Sequence, residues 1–88
     1  MKGISVLKQK LKCHVLNGCF SDERVVVFRL WNGERYSEFV PAAEVTGDID
    51  TDGELSVDVY RDNGTTWAVL PTEYRDMVAV NEADVVAS

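Results

Sequence analysis

His14 is the only histidine among the 88 residues, and the chain has just two cysteines and two prolines. Each shortage closes off a class of function. Cys13 and Cys19 are spaced neither as a C-x-x-C redox pair nor as half of a zinc site, and no second ligand pair exists. A disulfide between them is neither required nor excluded by the spacing. His14 has no serine or cysteine nucleophile context. Cys13 is its neighbour in sequence, and neighbours on a strand point to opposite faces. With no catalytic constellation, the chain is expected not to be an enzyme. No apolar run approaches the ~20 residues of a membrane-spanning helix, and no signal-like segment opens the chain. The expected setting is therefore the reducing cytoplasm, with no membrane partner.

Charge is also missing by region. No lysine follows Lys12 and no acid precedes Asp22. The first 21 residues hold four lysines, and the rest hold five arginines against fifteen acids, for a net charge of −6. Phosphate binding needs clustered positive charge, so nucleic acid is disfavoured as a partner of the main body. Such a field favours cations or basic partners. The comb Lys2, Lys8, Lys10, Lys12 reads as an anionic-surface contact or, more simply, as a strand edge guarded by lysine.

What remains is an ordinary globular composition, 45% apolar and 27% charged. It suits one domain over 1–88, with 1–9 a candidate flexible N-terminal segment. Leu11 to Leu16 alternates like a strand. Arg24 to Trp31 and Glu34 to Val40 flank Asn32-Gly33, a hairpin signal. Leu55–Arg61 and Thr65–Leu70 flank Asp62-Asn63-Gly64, and Met77–Val80 is a last short strand. Pro41 and Pro71 end the strands they follow. Val40-Pro41-Ala42-Ala43-Glu44-Val45 and Val80-Asn81-Glu82-Ala83-Asp84-Val85 end the two hairpins alike, as V-x-x-A-acid-V. This reads as a weak internal repeat or as two similar turns that close a barrel. The expectation is an all-β fold, a small antiparallel barrel or roll of five to six strands. The pattern resembles that of the small SH3-like barrels. The alternative is a β domain with one or two short helices, at 41–46 or 4–10.

A two-residue loop at Asn32-Gly33 sets Trp31 opposite Glu34 and Arg29 opposite Tyr36. Val26, Phe28, Leu30 and Phe39 then face the core, while Arg29, Trp31, Tyr36 and Glu38 face out with Val27. In the other hairpin Val57, Val59, Ala68 and Leu70 go in, and Tyr60 opposes Trp67 outside. Trp, Tyr and Arg anchor interfaces. Arg29, Trp31, Tyr36, Tyr60 and Trp67 are therefore the candidate binding surface.

The stretch from Asp48 to Leu55 carries the one chemical motif. Asp48, Asp50 and Asp52 fall at positions 1, 3 and 5 of a calcium loop, with Gly53 at 6, the Glu54 carbonyl at 7 and Ser56 at 9. Over these nine residues the chain resembles an EF-hand loop. The resemblance implies calcium held by Asp48, Asp50, Asp52 and Glu54. Position 12 is Val59 where the family has a bidentate Glu, and Asp58 or Glu44 would have to complete the shell. The following residues alternate like a strand. A plain acidic turn fits the same residues, since Asp and Gly both favour turns.

Two functions follow as expectations. The first is a non-catalytic interaction or assembly module with a protein partner, using the aromatic surface or an exposed strand edge. The second is a calcium-binding regulatory domain built on loop 48–58.

Overall fold

The computed structural model describes residues 7–87. Eight antiparallel strands form one curled sheet, a half-barrel around a single core. They are β1 (Leu7–Asn17), β2 (Glu23–Arg29), β3 (Arg35–Pro41), β4 (Val45–Thr46), β5 (Asp52–Asp62), β6 (Thr65–Val69), β7 (Met77–Val80) and β8 (Val85–Ala87). The main path runs β3-β2-β1-β5-β6-β7, with β4 on β5 and β8 on β1. The six expected strands are all present. The short β4 and β8 were too brief to show a period in the sequence. The expected helix at 41–46 is a 3-10 turn, Ala42–Glu44, followed by β4. Residues 7–10 are strand rather than helix or loose segment, and 1–6 lie outside the described residues.

The like endings reflect a duplicated plan. Each half opens with a long strand, returns through two more, makes a 3-10 turn and ends in a short strand. That last strand pairs with the long strand of the other half: Val45 with Leu55, and Val85 with Leu11. The long strands pair with each other, Leu11 facing Leu55. The ladders match position by position. Val15 faces Val26 as Val59 faces Ala68, and Arg24 faces Val40 as Thr66 faces Val80. Among the described residues the twelve buried apolar side chains accordingly fall into six pairs. They are Leu11 and Leu55, Cys13 and Val57, Val15 and Val59, Val26 and Ala68, Phe28 and Leu70, Val40 and Val80. Burial at every second position follows from the strand period of two.

The second hairpin holds the expected register, with Tyr60 opposite Trp67. Asn63 and Gly64 both have positive φ, 52° and 80°, as a tight two-residue turn requires. The first hairpin differs. Leu30 N–H donates to the Glu34 carbonyl and Gly33 N–H to the Leu30 carbonyl, so the loop is Trp31-Asn32-Gly33, one residue longer. Gly33, at φ 88°, supplies the left-handed residue of such a loop. Arg29 thus faces Arg35, and Phe28 faces Tyr36. A one-residue slip turns a strand over. Tyr36 and Glu38 therefore share the core side with Val26 and Phe28, while Phe39 points outward and is 50% exposed. The Phe28 and Tyr36 ring centroids stand 5.4 Å apart.

Candidate interaction surfaces

β1 lies in the middle of the sheet, so its lysines guard no edge. They project from the convex face against the acidic strand β5. Lys8 faces Asp58, Lys10 faces Ser56, Lys12 faces Glu54 and His14 faces Asp52. Three of the four facing pairs are bonded. Lys8 Nζ lies 3.6 Å from Asp58, Lys10 Nζ donates to Ser56 Oγ at 3.2 Å, and His14 Nδ1 lies 3.1 Å from Asp52 Oδ1. Charge segregation in the sequence thus becomes cross-strand pairing in the fold.

The five motif carboxylates take separate places. Asp48 and Asp50 sit in the turn before β5, pinned there by the Asp50 N–H, which donates to the Val15 carbonyl at 2.7 Å. Asp52 and Glu54 are already in β5, facing His14 and Lys12. Asp58 lies farther along the same strand, about 20 Å from Asp52 at the usual rise per residue. It binds Arg75 at 2.5 Å. Among the described residues no group of three or more His, Cys, Asp or Glu side chains is gathered to hold a metal ion. Gly53 has a reason apart from calcium: a Cβ there would overlap the Thr46 carbonyl oxygen and lie 2.9 Å from Val15 Cγ2.

The five residues of the expected binding surface also divide. Trp31, 64% exposed at the hairpin tip, and half-buried Trp67 come together at β7. Trp67 faces Ala79, and the Trp31 N–H donates to the Ala79 carbonyl at 2.9 Å. The two indoles border a groove of about 430 Å³ with Asn81 and Glu82. Tyr60 adjoins Trp67 and donates to Met77 Sδ. Tyr36 stands apart on the core side, where its hydroxyl donates to Glu38 Oε1 at 3.2 Å. Burial, then the Glu38 bond, raise its pKa. Arg29 lies in a broader depression of about 1040 Å³, lined also by Lys12, His14, Arg35, Asp52 and Glu54.

Glu82 fastens the second 3-10 turn, Glu82–Asp84, to the sheet. It accepts from Arg61 Nε at 2.8 Å and from Thr66 Oγ1 at 2.7 Å. These two donors, Arg61 first, hold its carboxyl at about 2.

The sheet edges were hardest to see in the sequence. Hydrogen-bonded pairs alternate along β2 and β3 from Leu30 and Glu34, so Arg35, Ser37 and Phe39 turn their N–H and C=O groups away from β2. Among the described residues β3 pairs with β2 alone. Pro41 falls in the same outward register, where its missing N–H breaks no ladder bond. No helix of the described residues is long and apolar enough to cross a membrane. Comparison with protein families, curated proteins and solved structures finds no match.

Proposed function

We propose that this chain is a non-catalytic protein-interaction module that takes an extended segment of a partner along the outward edge of β3. The observation that carries this reading is an asymmetry between equivalent strands. β3 and β7 end the two arms of the sheet and correspond in the duplicated plan. The outward carbonyl of Ala79 on β7 is covered by the Trp31 loop. Its counterpart Phe39 on β3 has no such bond among the described residues. Sheets normally blunt or cover a free edge, because it templates strand addition. The Trp31 and Trp67 groove, with Tyr60 beside it, offers a second contact patch of the residue types that anchor interfaces.

A binding role also suits the chemistry near His14. Its partner Asp52 is exposed, and the neighbouring thiol of Cys13 is buried on the opposite face. Burial, helped by Glu54 and Asp52, pushes that thiol up to about 11, far from a nucleophile's range. Free thiols at Cys13 and Cys19 accord with a cytoplasmic setting.

Hydrogen exchange tests the edge. In the chain without added peptide the amides of Arg35, Ser37 and Phe39 should exchange fast while those of Tyr36 and Glu38 are protected. Slow exchange at the first three would mean that the edge is already paired, and the reading falls. Ser37→Pro should leave the fold in place and abolish protection of the edge by an added strand-forming peptide.

A further inference from the structure

Most cations of the described chain are engaged. Lys8 binds Asp58 and lies 4.0 Å from Glu44; Lys10 binds Ser56. Arg24 binds the Ser21 and Glu23 carbonyls, Arg61 binds Glu82 and Arg75 binds Asp58. Lys12, Arg29 and Arg35 make no ion pair or side-chain hydrogen bond among the described residues. These three line the same depression on the convex face. Lys12 at least has Glu54 opposite it. Arg29 and Arg35 face only each other across β2 and β3. They occupy a non-hydrogen-bonded pair, the closer kind, where like charges destabilise the sheet. Repulsion from Arg29 favours Arg35 conformers that reach toward the open edge. At the other end of that edge Phe39 is exposed and forms an apolar row with Val25 and Leu16. The convex side of the β3 edge therefore presents a cation at Arg35, a small hydroxyl at Ser37 and an aromatic ring at Phe39.

We propose, building on the edge-strand reading above, that the partner segment pairs antiparallel with β3 and carries an acid four residues after an apolar side chain. The apolar residue lies against Phe39 and the carboxylate meets Arg35, with Arg29 behind it. Antiparallel pairing is what every strand of this sheet uses, and it is the more stable kind. Direction then fixes the order: apolar-x-x-x-acid from N to C. A second copy of the chain does not meet these demands. The outward row Arg35, Ser37, Phe39 contains no carboxylate, and each copy carries a net −6. A nucleic acid backbone is disfavoured because Asp52, Glu54 and Asp84 line the same depression and would oppose a run of phosphates, whereas a single carboxylate beyond β3 meets Arg35 with β2 and β1 between it and the acids of β5.

The test is an amide NMR titration of the full chain with acetylated, amidated threonine heptapeptides. One has valine second and glutamate sixth; one has the two exchanged; one has valine second and glutamine sixth. The first should move the Arg35, Ser37 and Phe39 amides and bind about fivefold more tightly than the glutamine peptide, the worth of one favourable exposed ion pair. Arg35→Gln, an exposed substitution whose spectrum reports its own folding, should erase that advantage, as should ~0.5 M salt. Equal binding of the glutamate and glutamine peptides, with edge amides moving in both, overturns the acid preference and leaves the edge reading standing. Equal binding of the exchanged peptide overturns the stated direction. Shifts confined to Arg29 and Arg35, unaffected by Ser37→Pro, overturn the edge reading and with it this proposal. Inorganic phosphate or a single-stranded oligonucleotide that moves the arginine amides more strongly than the glutamate peptide makes the pair a polyanion site, and the proposal fails.

Discussion

Gly53→Ala separates two explanations of one residue. In a calcium loop this glycine serves the sharp turn. In the fold it stands in β5, where the Thr46 carbonyl of β4 approaches too closely for a side chain. The obstacle is a backbone oxygen, which cannot rotate aside. Gly47, next to Thr46, is packed as closely, since a Cβ there would lie 3.0 Å from the Gly53 Cα. Relief requires β4 to move away, which breaks the pairing of Val45 with Leu55 and Thr46 with Glu54. Losing the one or two bonds of that short ladder costs about 1 kcal/mol each. Forcing a methyl group into a filled space costs about 1–3 kcal/mol. Against this, alanine restricts the unfolded chain and returns about 0.5 kcal/mol. The net loss is about 2 kcal/mol or more. For a domain of this size that lowers Tm by roughly 10 °C. In urea it lowers the midpoint by about 1–2 M with the m-value unchanged. Calorimetry and urea unfolding in the presence of a chelator provide the measurement. A variant within about 2 °C of the parent would refute the close approach of β4 and β5. A loss seen only with calcium present would return the glycine to the ion.

Three further outcomes follow from the same structure. In a calcium titration with magnesium as control, the Asp50, Asp52 and Gly53 amides should not move selectively, because the carboxylates stand apart; movement with calcium alone would restore the ion-binding reading, and Asp48→Ala with Asp50→Ala should then abolish it. The Glu82 carboxyl, held at about 2 against an ordinary 4.5, contributes stability that is complete above 4.5 and lost as pH falls toward 2. The Tm gap between the parent and Glu82→Gln should therefore close over that window, and a gap that does not change with pH would contradict the Arg61 and Thr66 bonds. Cys13, pushed up to about 11 from 9.0, should hold about a hundredth of the thiolate of an ordinary thiol at pH 8. Alkylation followed by mass spectrometry should accordingly mark exposed Cys19 well before Cys13, and equal rates would refute the burial of Cys13.

Local chemistry in the sequence determined the longer strands and one of the two hairpin turns. The six longer strands follow from alternation, and the second hairpin's register follows from Asn63-Gly64, which accepts positive φ at both positions. The matched endings at Val40 and Val80 were visible because both halves need the same turn. Contacts between distant segments decided the rest. Asn-Gly at 32 and 33 suits a two-residue or a three-residue loop equally well. The longer loop sets the Trp31 N–H against Ala79 across the sheet, and this choice turned over Tyr36, Glu38 and Phe39. The lysine comb gains its partners only because the fold sets β5 beside β1. The spacing of Asp48, Asp50 and Asp52 is equally that of a metal loop and of a turn entering a strand. Ligand spacing is counted along the chain, whereas coordination needs the oxygens to converge in space. Pairing of β5 with β1 from Asp52 onward extends the backbone, and among the described residues no three acidic or other metal-ligating side chains gather at one centre. That β3 pairs with β2 alone among the described residues is tertiary for the same reason: whether an edge is covered depends on what the whole sheet places beside it.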